Sequence, residues 1–281
     1  MHLVLKLEPV QKAVLPFSYQ SYLASAIYTV WGNWNPAMAE AVHDGNLFRN
    51  RIKLFGFSPL NSPQTEIVEG NRECGVEQGG DGLRFEGPTF CRVHSPLPEF
   101  IQSISQGVME EGILRVGSAV FEVVGATHMP APSFRQKMKW RTVRHASFVT
   151  SWKNRGDRIK RYAIPESPVE GQSAESLLIA NLRHKWQRIT DEGGRPDLAA
   201  RWAGLPEDAD KTTLLRWLDE QPLEIRLEET EKTRLHQVKE TKVRSWRASA
   251  QIEAHPALQR LAWACGLGEM NSMGFGTIEA D

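Results

Sequence analysis

The chain opens on an alternation. HLVLKL at residues 2–7 switches between apolar and polar positions and is rich in branched side chains, which predicts a strand. Over 19–31 the period changes to that of a helix, with Leu23, Ile27 and Val30 sharing one face. A short second helix is expected over 37–42. IKLFGFS at 52–58 and LRFEGPTFC near 83–91 read as strands, the latter interrupted by its Gly-Pro pair. A helix over 98–112 and a strand within 113–126 complete the order strand, helix, strand, strand, helix, strand, which is the ferredoxin-like arrangement.

The second half follows the same plan in its pattern, without sequence repetition. A strand near 158–164 precedes a helix over 173–189, in which Leu177, Ala180 and His184, or Leu178 and Leu182, line adjacent positions. Residues 190–220 are polar, punctuated by Gly and Pro and partly helical, as in an insertion. Strands are expected at 223–227 and around 239–249, then an amphipathic helix over 257–265 and a closing strand at 275–280. HMPAP interrupts the pattern near 126–132. The expected fold class is therefore α+β, two tandem ferredoxin-like domains of residues 1–128 and 129–281.

Composition narrows the possible functions. The chain has 281 residues, 41% of them hydrophobic, enough for two ordinary cores. No apolar run is long enough to span a membrane, and the first residues lack the pattern of a secretory signal. Cys74, Cys91 and Cys265 are odd in number and widely spaced, so a reducing cytoplasm is expected. Formal net charge is zero, but its distribution is uneven. Residues 131–162 carry Arg135, Lys137, Lys139, Arg141, Arg144, Lys153, Arg155, Arg158, Lys160 and Arg161 against Asp157 alone, a local net of +9. Residues 163–231 carry a net of −7, and 232–260 turn basic again, with Arg244 and Arg247 on either side of Trp246. If the fold joins the two basic segments, the neutral total conceals a phosphate-binding face; a mixed, solvated surface is the alternative.

The segment GLGEMNSMGFG at 266–276 stands between the last helix and the last strand. Gly266, Gly268, Gly274 and Gly276 permit positive φ and close backbone approach, while Asn271 and Ser272 add short polar groups. It has neither the GKS/GKT ending of a P-loop nor the strand-to-helix placement of a dinucleotide fingerprint. Its physics suits phosphate binding and a tight helix-to-strand connection equally.

This run resembles the C-terminal glycine-rich loop, G-x-G-x-x-N-S-x-G-x-G, of the CRISPR repeat-RNA processing endoribonucleases. SYLASAIY at 21–28, His43 and KLFGFSPL at 53–60 agree with the N-terminal pattern of that family. The resemblance implies two ferredoxin-like domains, CRISPR repeat RNA as partner, and metal-free cleavage leaving 5′-hydroxyl and 2′,3′-cyclic phosphate ends. It leaves room for a homodimer and for membership of an interference complex. No cofactor is implied.

Such cleavage needs a base for the 2′-hydroxyl proton, a cation or donor for the phosphorane, and an acid for the leaving 5′-oxygen. His43, whose ordinary pKa lies near 6.5, occupies the family's catalytic-histidine position in the polar run His-Asp-Gly-Asn; an ordinary loop histidine is the alternative. Lys53 matches a lysine of members that use a Tyr/His/Lys set, with Arg49 and Arg51 as neighbouring cations. Tyr28 matches a tyrosine ending the first helix, either a hydrogen-bond donor or a packed aromatic. His145 is a weaker RNA-contact candidate, and His184 reads as a surface or half-buried helical residue. Trp140, Trp152 and Trp246 lie among basic residues where base stacking is sensible, whereas Trp186, Trp202, Trp217 and Trp263 suit cores. SFVTSWKNRGDRIKRY at 147–162 departs from the family pattern, so its RNA role rests on charge. No H-E-x-x-H, C-x-x-C or paired acidic motif marks a metal centre. A non-cleaving CRISPR RNA-binding subunit is the alternative function, and an unrelated phosphate-ligand protein a more distant one.

Overall fold

The computed structural model of the chain describes residues 1–11, 13–36, 53–69, 81–154, 160–191, 194–231, 233–238 and 240–281. Strand β1 (His2–Pro9) turns Leu3, Leu5 and Leu7 inward, each completely buried, and leaves Lys6 exposed. Each such leucine contributes about 1.5–3 kcal/mol of hydrophobic stabilisation. This strand is central in an antiparallel sheet of order β3-β6-β1-β8-β7, where β3 is Gly56–Phe57, β6 Thr89–His94, β7 Ile113–Val116 and β8 Ala119–Met129. Helices α1 (Gln20–Trp34) and α2 (Pro98–Glu111) meet through Trp31 and Phe100, whose rings lie 4.6 Å apart. Pro98 sits in the first turn of α2, and Gly112, in the left-handed region at φ 64°, ends it. A separate three-stranded sheet joins β2 (Ala13–Pro16), β5 (Gly82–Phe85) and β4 (Thr65–Val68).

The second half builds an antiparallel sheet of order β12-β15-β9-β16 from β9 (Lys137–Thr142), β12 (Leu223–Glu228), β15 (Ser249–Ala254) and β16 (Ile278–Ala280). Helices α3 (Ala174–Ile189), α4 (Pro196–Ala203), α5 (Lys211–Glu220) and α6 (Pro256–Cys265) supply its helical layer. Ser173 caps α3 by accepting from the Ser176 amide, and His255 caps α6 by accepting from the Ala257 amide. Two hairpins project from this unit, β10 (Ser151–Trp152) with β11 (Arg161–Tyr162), and β13 (Arg234–Val238) with β14 (Thr241–Ser245). The architecture is α+β, with sheets and helices related to the ferredoxin-like arrangement. Among the described residues no helix is long and apolar enough to cross a membrane.

Several expected elements are displaced. The first sheet strand of the second half is Lys137–Thr142, not 158–164, of whose described residues Arg161–Tyr162 form a strand within a hairpin. Lys137, Lys139 and Arg141 alternate along β9 with the half-buried Met138 and the buried Trp140 and Thr142, so charge obscured a half-buried strand. The expected strand at 239–249 divides into β14 and the true sheet strand β15. The one at 83–91 divides at Gly87-Pro88 into β5 and β6, which belong to different sheets. Strand β8 runs to Met129, past the start of the expected break. The insertion at 190–220 holds two helices and joins the core, with Trp186 and Trp217 stacked at 4.6 Å. The helix expected at 37–42 lies outside the described residues.

Buried polar groups connect the halves. His2 stacks on Trp263 at 3.8 Å, and its Nε2 lies 2.7 Å from the Trp263 carbonyl. His94, completely buried, places Nδ1 3.1 Å from the Ala264 carbonyl and Nε2 3.0 Å from the Thr277 hydroxyl. A carbonyl only accepts, so Nδ1 carries the proton and Nε2 accepts from Thr277. Burial lowers the His94 pKa from 6.5 to about 3. The unfolded chain therefore binds the extra proton between those values, and stability falls as pH drops from 6.5 toward 3. Thermal melts should show a falling Tm over that window, with a shallower slope in His94→Gln; an unchanged slope would remove His94 from the account.

Candidate active site

Tyr28 lies on α1 one turn before the completely buried Trp31, and its ring meets Phe55 edge-on at 5.5 Å. Lys53 reaches the same tyrosine. Its ammonium lies 4.7 Å from the ring centroid and donates to the phenol oxygen at 2.5 Å. The next residues, Leu54 and Phe55, are buried and anchor the segment. Burial pushes the Tyr28 hydroxyl above its ordinary 10, with the weaker opposing effect of a hydrogen bond to Ser272. Near neutral pH it is thus a phenol with a proton to donate rather than a base.

Ser272 belongs to the glycine-rich run, where residues Asn271–Met273 form a 3-10 turn packed against α1 and β3. Gly266, Gly268, Gly274 and Gly276 all have positive φ. A Cβ at Gly276 would lie 2.0 Å from the Leu267 carbonyl oxygen, and one at Gly266 would lie 2.6 Å from the Gly276 oxygen. The two ends of the run therefore approach too closely for side chains. Asn271 is buried; its amide donates to the carbonyls of Leu267 at 3.2 Å and Phe275 at 3.0 Å. Its oxygen accepts from Lys185 at 2.8 Å.

Lys185 was not singled out in the sequence. It is 1% exposed on α3 and also donates to the carbonyls of Gly266 at 2.8 Å and Gly268 at 3.0 Å. Burial lowers its pKa from 10.5 to about 8. One ammonium thus cross-braces the glycine run from the helix, and Asn271 braces it from within. The available signal was its position, three residues after Leu182 and seven after Leu178, on the core face of the helix. Glu269, equally unmarked in the sequence, accepts from the Ser151 hydroxyl at 2.8 Å and from Lys160 at 2.8 Å, tying the β10–β11 hairpin to the loop. A cavity of about 460 Å³ lies between this hairpin, α3, the loop and Lys53.

The other candidates are dispersed. His43 lies outside the described residues, as do Arg155 and Arg158. Lys137, Lys139 and Arg141 occupy one face of β9 opposite carboxylates. Lys139 lies 3.3 Å from Glu228, 3.4 Å from Glu229 and 3.5 Å from Asp281, Arg141 3.1 Å from Glu279, and Lys137 3.9 Å from Glu253. The cations of that face are thus all paired with carboxylates. Arg135 and Lys153 are exposed, and Arg161 pairs with Glu170. The two basic segments do meet around His145, where burial and then Arg144, Arg247 and Arg234 hold the imidazole pKa below its usual value. Arg247 is also 3.1 Å from Glu231. Arg244 is exposed on the β13–β14 hairpin opposite Leu235. Trp140 and Trp246 are completely buried, which overturns a stacking role for either, because no face is available to a base. Trp152 is half-buried beside the cavity. Among the described residues no three His, Cys, Asp or Glu side chains cluster as a metal site would.

Comparison with known proteins accounts for both halves. A family model described as CRISPR associated protein Cas6, C-terminal, matches residues 131–280, and one described as CRISPR-associated protein Cas6, N-terminal, matches residues 14–126. The CRISPR-associated endoribonuclease Cas6 1 of Methanocaldococcus jannaschii is 27% identical over 280 residues, spanning 99% of this chain and 92% of that protein. A solved structure described as CRISPR associated protein Cas6 superposes with a TM-score of 0.70 at 23% identity, covering 100% of this chain and 99% of the other. A Cas6-related protein from Pyrococcus furiosus gives a TM-score of 0.70 at 18% identity, covering 100% and 98%. At such identities the two structures speak to the fold alone. With the glycine-rich loop docked against the Tyr28–Lys53 pair and both halves matched, the chain belongs to the Cas6 family of CRISPR-associated endoribonucleases, which act in processing precursor CRISPR RNA at its repeats.

Proposed function

We propose that the chain cuts CRISPR precursor RNA within its repeats without a metal ion, by attack of a 2′-hydroxyl on the adjacent phosphate. The bond from O2′ to phosphorus forms and the bond to O5′ breaks. One proton leaves O2′ and one is delivered to O5′, giving 2′,3′-cyclic phosphate and 5′-hydroxyl ends. The observation that carries this reading is the convergence of Lys53, Tyr28 and Ser272 from two distant stretches of the chain. Lys53 stabilises negative charge on the phosphorane, the Tyr28 phenol donates to it, and the loop backbone approaches the phosphate closely. His43 takes the acid–base role on the strength of its residue type and family position.

The strand order supports two tandem ferredoxin-like units dividing near residue 129, because each main sheet sets its first strand between its third and its last. CRISPR repeat RNA is the partner. Arg144, Arg244, Arg247, Lys153, Lys160 and Arg161 are the basic side chains that would follow its backbone, and several such contacts make affinity fall with salt.

The test is incubation of repeat RNA from the same host with the protein in EDTA, with both product ends mapped. A parallel RNA carries a 2′-deoxy nucleotide at the cut. One dominant cut with a cyclic phosphate end, lost in the deoxy RNA, is the expected result. Binding without cutting would move the chain to RNA retention, and cutting of the deoxy RNA would overturn the 2′-hydroxyl mechanism.

A further inference from the structure

The cavity beside Lys53 is shaped for something more than a phosphate. Its volume of about 460 Å³ falls in the roughly 300–1,000 Å³ range of small-ligand sites. Lys53 and Ser272, the two partners of Tyr28, line it, and so do Asn181, His184, Leu177 and Ala180 of α3. Trp152 lines it from the β10–β11 hairpin. Electrostatics and packing are already arranged around the cavity. Glu269 is engaged by Ser151 and Lys160, so its charge is balanced, and the Trp152 indole is held by donating to Asn154 at 3.0 Å. The Asn181 side-chain oxygen has no partner although it is buried. Leaving such an acceptor unmet costs about 1–3 kcal/mol, a cost relieved when the amide rotates to meet a ligand N–H in the cavity.

We infer that this cavity receives a single unstacked nucleobase, that of a nucleotide flanking the scissile phosphate. The inference rests on the cleavage reading above and deepens it. A flat indole, an apolar wall and one buried acceptor match a base, which has a π-face and N–H groups on its edge. The phosphate attached to that nucleotide then falls at the Lys53 end, so seating the base draws the reacting phosphate toward Lys53 and Tyr28. The volume suits one nucleotide rather than a stacked pair. Trp152 and Asn181 are thus positioning residues: they hold the nucleotide and leave proton transfer to other groups.

Two measurements test this and keep it separable from the cleavage reading. In the first, single-turnover cutting is compared for wild type, Trp152→Ala and Asn181→Ala on intact repeat RNA and on RNA abasic at each nucleotide flanking the cut. Each variant should lose about 10–100-fold on intact RNA, the equivalent of one lost stacking or hydrogen-bonding partner. On RNA abasic at the correct nucleotide, wild type should be slowed and both variants should match it. Trp152→Phe, which keeps a ring, should recover most of the loss. Equal losses for the variants on intact and abasic RNA, or no effect of either abasic site on wild type, would overturn the subsite.

In the second, 2-aminopurine is placed at successive positions of an uncleavable repeat RNA. One position should change fluorescence on binding to wild type but not to Trp152→Ala. A Trp152-dependent signal with no cutting of intact RNA would retain the subsite and reject the cleavage reading. Cutting with no Trp152-dependent position would retain cleavage and reject the subsite.

Discussion

Lys53→Ala is expected to lower single-turnover cutting of repeat RNA by about 10²–10³-fold, the scale of losing one preorganised donor to developing charge. The Lys53 ammonium contacts both the oxygen and the ring of Tyr28, so its loss removes a cation and releases the phenol it positions. RNA affinity should change much less, because many phosphate contacts share binding. Lys53→Arg restores charge but not the compact geometry, and should recover only part of the rate. Tyr28→Phe keeps the packing against Phe55 and isolates the hydroxyl. His43→Ala should cost about 10²–10⁴-fold, the range for a general acid or base. Filter binding beside rapid-quench cutting checks all four. A Lys53→Ala enzyme that weakens binding and leaves the cutting rate intact would make Lys53 an RNA anchor rather than a catalytic residue.

Gly276→Ala should have the largest effect on the fold. Its φ of +74° lies in the left-handed region, costing a side chain about 1–2 kcal/mol. The added methyl would meet the Leu267 backbone oxygen at 2.0 Å and Asn271 Nδ2 at 2.3 Å, a side-chain end held by its hydrogen bonds to the Leu267 and Phe275 carbonyls. Forced backbone shifts of this kind add about 1–3 kcal/mol. A total of roughly 2–5 kcal/mol is a large part of the 5–15 kcal/mol that holds typical proteins folded. Gly112→Ala is the control: φ is also positive, at 64°, but nothing lies within 4 Å of the added methyl. Urea unfolding should show the Gly276 variant losing more than twice as much stability as the Gly112 variant. Cutting should fall further than stability explains, since the loop carries Ser272 to Tyr28. Equal losses at the two glycines would mean that the loop relaxes around the methyl.

Much of the first half was legible because its signals are local. HLVLKL alternates along its own length, and α1 places Leu23, Ile27 and Val30 on one face, so neither needs a distant residue to be recognised. The loop could be located from its glycines and its place between a helix and a strand. Resemblance to a family then marked His43, Lys53 and Tyr28 as catalytic and Asn271 and Ser272 as RNA-binding, and spacing alone does not show that Tyr28, Lys53 and Ser272 meet.

What one stretch of sequence does not contain is the identity of its neighbours. Lys137, Lys139 and Arg141 read as part of a run of positive charge, and the sheet sets Glu228, Glu229, Glu253, Glu279 and Asp281 across from them. Trp140 and Trp246 read as stacking platforms until burial enclosed them. The bracing role of Lys185 required carbonyls about 80 residues away in sequence, at Gly266 and Gly268. Sequence by itself determined the residue types, the local periods of most helices and strands, and the positions where the backbone could turn. Tertiary structure decided which charges are neutralised, which rings are accessible and which carbonyls share an ammonium, because Coulomb attraction, burial and hydrogen bonding depend on distance in space rather than on separation along the chain.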